Sequence, residues 1–235
     1  MLIAAHGERG GALDNTALDR LAASVAAALP GQAVSAGVLY GEPSIERAVD
    51  RLGACPMLVY PLFFSDGRFV SEVLPQRLDS VAGQRAFSIL TPLGLDPRLP
   101  LWLADRIEVT ARARRFDLSE TFVLIAAHGS TQSNQPRNAV MLLAERLARQ
   151  RRGAPVGFGF LDEPPYLVDV ISQLPDQAII IALFTGRGLH SAEDLPLIAA
   201  ASGRSDVPVI GPIGTDFSIA PLIADAVSKH VVVGF

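Results

Sequence analysis

Short apolar runs rich in Val, Ile and Leu punctuate the chain, and hydrophobic residues recur between them at helical spacing. LIAA (2–5), AVSAGVLY (33–40), MLVYPLFF (57–64) and FSIL (87–90) answer to FVLIAA (122–127), VGFGF (156–160), AIIIALF (178–184) and VPVI (207–210). Runs apolar on both faces predict strands of parallel sheets with helices on either side. The helices are marked by Leu18, Leu21, Val25 and Leu29, by Ile45, Val49 and Leu52, and by Val140, Leu143 and Leu147. Strands alternating with helices give an α/β protein with doubly wound sheets.

The two sets of runs are copies of one unit. MLIAAHGERG from Met1 returns as VLIAAHGSTQ from Val123, so that His6 answers to His128. Pro43 then answers to Pro165, Phe63 to Phe184, Pro75 to Pro196, Gly94 to Gly214 and Asp96 to Asp216, in order and nearly without drift. Such self-similarity marks an internal duplication. It predicts two tandem four-stranded domains, 1–117 and 118–235, meeting where RRFDLSE (Arg114–Glu120) breaks the apolar pattern.

In a doubly wound sheet, ligands bind beyond the carboxyl ends of the strands, where the winding reverses. In the flavodoxin-like order that point lies between the first and third strands. His128 follows the first strand of the second half and His190 the third, so the order predicts that they meet at one crevice. After the second strand, FLDEPP offers Asp162 and Glu163, while Glu193 and Asp194 stand at a helix start, where acids commonly complement the dipole. The AHGS turn also has a plain reading, with Ser130 or Thr131 capping a helix. Two imidazoles and a carboxylate suit a first-row divalent ion such as Co²⁺, Fe²⁺ or Ni²⁺ and leave coordination positions open. His230, near the C-terminus, reads as a surface or core residue.

Composition narrows the partners. A formal charge of −4 gives no basic footprint for nucleic acid, and Lys229 is the only lysine, so any anion site must use arginine. Cys55 stands alone, which excludes a disulfide framework and fits a reducing cytoplasm. With 49% hydrophobic residues and a mean hydropathy of +0.33 the chain folds, yet it has no run of the length a membrane helix needs. No basic leader precedes the first strand, so neither export nor membrane insertion is expected. Oligomeric state stays open.

At these residues the sequence resembles the class II chelatases of the CbiX type, the sirohydrochlorin cobaltochelatases, with the related ferrochelatases beside them. The resemblance rests on AAHGS (Ala126–Ser130), FLDEPP (Phe160–Pro165) and ALFTGRGLHSAEDLP (Ala182–Pro196), and covers the whole chain as a two-unit form of chelatase-like domains. It implies a lyase that inserts Co²⁺ or Fe²⁺ into sirohydrochlorin, for cobalamin or siroheme, at a cleft between the halves, with no cofactor beyond the substrate metal. His128 and His190 would hold the metal or take up pyrrole protons, with Asp162 or Glu163 assisting and Glu163 counted among the metal ligands. The macrocycle's eight carboxyl groups would meet Arg187, Arg137, Arg68 and Arg9, with Ser130 nearby.

The first half departs from this pattern. It keeps His6 but has Phe69 opposite His190 and Tyr40 opposite Asp162, so it cannot present two imidazoles and an acid. It reads as a lid whose Phe69, Phe64, Tyr40 and His6 face the tetrapyrrole, or as core packing. Other readings are a non-catalytic metal or tetrapyrrole carrier, a protoporphyrin ferrochelatase, and a phosphate or flavin site. Neither AAHGERGG nor AAHGSTQS carries a phosphate-loop or dinucleotide fingerprint.

Overall fold

All eight apolar runs are strands in the computed structural model, which describes residues 1–7, 15–185 and 194–233. The strands are β1 (Leu2–Ala5), β2 (Ser35–Val38), β3 (Met57–Pro61), β4 (Phe87–Ile89), β5 (Phe122–Ala127), β6 (Val156–Phe160), β7 (Ala178–Ala182) and β8 (Val209–Ile210). They form two parallel sheets of order β2-β1-β3-β4 and β6-β5-β7-β8. Each sheet therefore reverses its winding between its first and third strands, as the sequence predicts.

The helices are α1 (Thr16–Ala28), α2 (Ile45–Asp50), α3 (Leu74–Val81), α4 (Leu99–Arg114), α5 (Gln135–Gln150), α6 (Leu167–Ser172), α7 (Asp194–Ala201) and α8 (Ala220–Val233). Leu18, Leu21 and Val25 of α1 and Val140, Leu143 and Leu147 of α5 are buried, so the helical periodicity does mark core faces. Leu52 falls past the end of α2, in a turn closed by its N–H on the Val49 carbonyl. The central strands β1 and β7 are buried along their length, as is β5 beyond the half-buried Phe122, whereas β4 and β8 are short and partly exposed edges.

The chain forms two compact units: unit 1 is Met1–Asp96 with Thr215–Phe235, and unit 2 is Pro97–Gly214. These do not follow the expected division at 117/118, which marks the repeat in sequence. The reason is packing of the last helix of each repeat. In unit 2, α4 packs on α5, β7 and β8; in unit 1, α8 packs on α1 and β3. Arg151 fastens the segment before β5 to the end of α5, donating to the carbonyls of Leu118, Thr121 and Pro155. Burial of this guanidinium pulls its pKa below the usual arginine value. Among the described residues no helix is long and apolar enough to cross a membrane.

Candidate functional site

Strand pairing in unit 2 runs past the ends of the strands and sets the site. Ala127 pairs with Phe160 in the β5–β6 ladder, and beyond it Leu161 N–H donates to Ala127 O at 3.1 Å and Asp162 N–H to His128 O at 3.0 Å. These bonds hold positions 128 and 162 opposite each other at the carboxyl edge. Their side chains meet there, with His128 Nδ1 3.1 Å from Asp162 Oδ2 and both about half exposed, at 52% each. A carboxylate at Nδ1 fixes the proton on that nitrogen and leaves the Nε2 lone pair to face an incoming group.

Glu163, one residue on, points the other way and is 7% exposed. Its Oε1 accepts the Ser130 N–H at 2.9 Å, and its Oε2 accepts Arg137 Nε at 2.8 Å and Arg137 Nη2 at 2.7 Å. Arg137 lies in the first turn of α5, donates also to the Pro164 carbonyl, and stacks 5.3 Å over the Phe160 ring. The carboxylate thus ties the turn after β5 to the helix that follows. Gly129 between them has φ +77° and leaves the space Glu163 fills, since a Cβ there would lie 2.8 Å from Glu163 Cγ.

Of the expected site residues, then, the structure brings His128 and Asp162 together and turns Glu163 and Arg137 toward each other. Arg137, expected at the substrate carboxylates, has its guanidinium engaged by Glu163 and Pro164. Ser130 does not cap α5, which begins at Gln135; its Oγ accepts the Gln132 N–H. His190, Arg187, Glu193 and Arg9 lie outside the described residues. Arg68 forms an exposed ion pair with Glu72, and His230 is exposed in the last turn of α8. Among the described residues, no group of three or more His, Cys, Asp or Glu side chains is arranged to hold a metal ion. A cleft of about 540 Å³ lined by Ile107, Glu108, Leu118, Arg151 and Arg152 contains none of the site candidates.

Unit 1 repeats the backbone and changes the chemistry. Tyr40 N–H donates to His6 O at 3.0 Å, in the place of the Asp162–His128 bond. The His6 ring then packs against Phe69, with centroids 4.6 Å apart and nearly perpendicular, and against Tyr40 at 5.1 Å. Its Nδ1 lies 2.8 Å from the Gly7 carbonyl. The brace is reduced as well: Asn15 stands where unit 2 has Arg137, and Gly41 where it has Glu163. Asn15 Nδ2 still donates to the Glu42 carbonyl, the counterpart of the Arg137–Pro164 bond.

The architecture is thus a duplicated doubly wound chelatase-type fold, with an imidazole–carboxylate pair at one switch point and an aromatic cluster at the other. The CbiX family model matches residues 1–110 and again 122–230, and the chain belongs to that family. It is similar to a probable sirohydrochlorin cobaltochelatase of Halobacterium salinarum, at 24% identity over 80% of this chain and 75% of that one. Among solved structures it resembles CbiX, described as the terminal enzyme for biosynthesis of siroheme in denitrifying bacteria, with TM-score 0.83, 33% identity and 97% of both chains covered. The cobalt complex of the sirohydrochlorin chelatase SirB from Bacillus subtilis subspecies spizizenii shares the fold, with TM-score 0.68 at 18% identity over 98% of this chain and 92% of that one.

Proposed function

We propose that this protein is a metal chelatase of the cytoplasm that inserts Co²⁺ or Fe²⁺ into sirohydrochlorin, using the carboxyl edge of unit 2. The observation that carries the reading is the His128–Asp162 pair. An imidazole whose Nδ1–H is engaged by a carboxylate presents Nε2 either as a metal donor or as a proton acceptor. Metallation needs both abilities: the ion enters, its two new bonds replace two pyrrole N–H bonds, and two protons leave. Asp162 keeps the imidazole oriented and offsets its charge when it takes a proton.

His190 supplies the second imidazole. Support comes from unit 1, where Phe69, at the equivalent position, reaches both other members of the cluster, 4.6 Å from His6 and 6.2 Å from Tyr40 between ring centroids. Two neutral imidazoles beside a carboxylate hold a divalent ion with positions open, as transfer requires. Arg187 offers a cation for the carboxylates of the macrocycle, while the Phe69, Tyr40 and His6 cluster of unit 1 is an apolar patch of the kind a flat ring can stack on. Other cofactors have no part in this reaction.

The test is anaerobic incubation with sirohydrochlorin and Co²⁺ or Fe²⁺, following the visible spectrum. Metallation well above the uncatalysed rate, lost in His128→Ala and in His190→Ala, is the expected result. Tight Co²⁺ binding with no gain in metallation would overturn the enzyme reading and leave a carrier.

A further inference from the structure

We infer that the Glu163–Arg137 pair is a positioning device for the metal-handling turn, not a metal ligand and a substrate clamp. This deepens the chelatase reading and rests on it. Four observations converge. Both Glu163 oxygens are used, one by the Ser130 N–H and the other by the guanidinium. The carboxylate is almost fully buried. Arg137 is held on three sides, by Glu163, by the Pro164 carbonyl and by the Phe160 face. Finally, unit 1, which lacks the acid and the second imidazole, has lost both members of the pair together, with Asn15 and Gly41 in their places.

The physical logic is that of an outer shell. His128 is followed directly by Gly129, a residue with positive φ and no side chain of its own to hold the turn. The next N–H, that of Ser130, is captured by Glu163, and Glu163 is fixed to α5 by Arg137. A carboxylate beside the start of a helix is further favoured by the helix dipole. Orientation of His128 is therefore set from two directions, by Asp162 on the ring and by Glu163 on the main chain behind it. Partners of this kind govern metal affinity without touching the ion.

Four variants separate the alternatives: Glu163→Ala, Glu163→Gln, Arg137→Lys and the double Glu163→Ala/Arg137→Lys. As positioning residues, Glu163→Ala and Arg137→Lys raise the Co²⁺ concentration for half-maximal rate by about 10- to 100-fold. The KM for the tetrapyrrole stays within about twofold. Because the two act as one device, the double variant is no worse than Glu163→Ala alone. Glu163→Gln, which keeps an acceptor for Ser130 N–H and fills the space beside Gly129, recovers part of the loss.

A rise in tetrapyrrole KM confined to Arg137→Lys would make Arg137 a substrate clamp. Equal loss of Co²⁺ binding in Glu163→Gln and Glu163→Ala, with the Ser130 amide still protected, would make Glu163 a ligand. Amide hydrogen exchange at Ser130 needs neither metal nor turnover. It is slow in the wild type and fast in Glu163→Ala if the brace exists, and alike in both if it does not. If the wild type fails to metallate, that exchange result still decides the brace, while the chelatase reading falls by itself.

Discussion

The two carboxyl edges of this molecule share a main chain and almost no chemistry. The N–H of Tyr40 reaches His6 O as the N–H of Asp162 reaches His128 O, both at 3.0 Å. Leu62 N–H bonds Ala4 O and Leu183 N–H bonds Ala126 O, both at 2.8 Å, and Gly94 and Gly214 donate to Phe63 and Phe184 alike. Main-chain hydrogen bonds depend on strand register and little on side chains, so the scaffold persists where the site does not. What differs is four positions, Tyr40 for Asp162, Phe69 for His190, Asn15 for Arg137 and Gly41 for Glu163, and with them the setting of the one histidine common to both. In unit 1 aromatic rings close around the imidazole, whereas in unit 2 a carboxylate holds it half exposed.

The sharpest way to break this contrast is to remove each histidine in turn. His128→Ala is expected to lower the metallation rate on the order of 10²- to 10⁴-fold, the usual scale for a positioned proton acceptor. His6→Ala should leave kcat alone and change the KM for the macrocycle by less than about tenfold, the scale of an aromatic contact. Initial rates over a range of tetrapyrrole concentrations separate the two. A larger loss in His6→Ala than in His128→Ala would move the working site to unit 1.

Next in size are the cores, where the two units should behave alike. Leu2 and Leu124 occupy equivalent positions in β1 and β5 and are both fully buried. Truncation of either to Ala should cost about 2–5 kcal/mol in urea unfolding. Leu103 of α4 and Ile223 of α8, also fully buried, test how the units are built. Leu103→Ala should speed amide exchange in β7 and β8, and Ile223→Ala in β3, in line with the packing of these helices. The reverse assignment would restore the division at 117/118.

That helix placement was hidden in the sequence for a physical reason. The apolar face of α4 or α8 states that the helix covers a sheet, and nothing in its periodicity states which one. Strands were easier, because β5 and β7 are buried on both faces and read as unbroken apolar runs, and the doubly wound class supplied their order. The edge strand β8 is only Val209–Ile210, shorter than the run VPVI that marks it, and Val209 is exposed. At the site, the contrast between the two copies pointed to His128 and position 162, which the structure brings together, and to His190, which lies outside the described residues. It could not separate Asp162 from Glu163, since adjacent residues leaving a strand point apart and only the backbone path decides which is buried. The joint replacement of Arg137 and Glu163 by Asn15 and Gly41 was a usable signal, legible only once the two side chains are seen to touch.

Rebuilding the lost site sharpens the comparison further. Tyr40→Asp with Phe69→His puts an acid and a second imidazole beside His6. The variant should bind a second Co²⁺ per chain in equilibrium dialysis, by at least about tenfold more weakly than unit 2, because Asn15 and Gly41 keep only the bond to the Glu42 carbonyl and lack the carboxylate of the brace. Equal affinity at both sites would show that the brace is dispensable, and no second ion would show that His6 cannot be freed from its rings.

The smallest expected difference is electrostatic and belongs to unit 1 alone. Glu46, in the first turn of α2, pairs with Arg77 at 2.8 Å, whereas unit 2 has the apolar Val168 at the equivalent position. A bond from its own main-chain N–H, with further help from Arg77 and Ser44 and against the effect of burial, holds its carboxyl below the ordinary value of 4.5. A folded-state pKa lowered in this way stabilises unit 1 fully above pH about 4.5, and the contribution is lost as pH falls through the lower folded value. Both side chains are more than a third exposed, so solvent screening keeps the effect within about 1 kcal/mol. Glu46→Gln should therefore lower the urea midpoint slightly at pH 7 and not at all once both states are protonated, with amide exchange in α2 and α3 carrying the change. An undiminished difference at the acid limit would mean that Glu46 acts through packing, and the electrostatic distinction between the units would disappear.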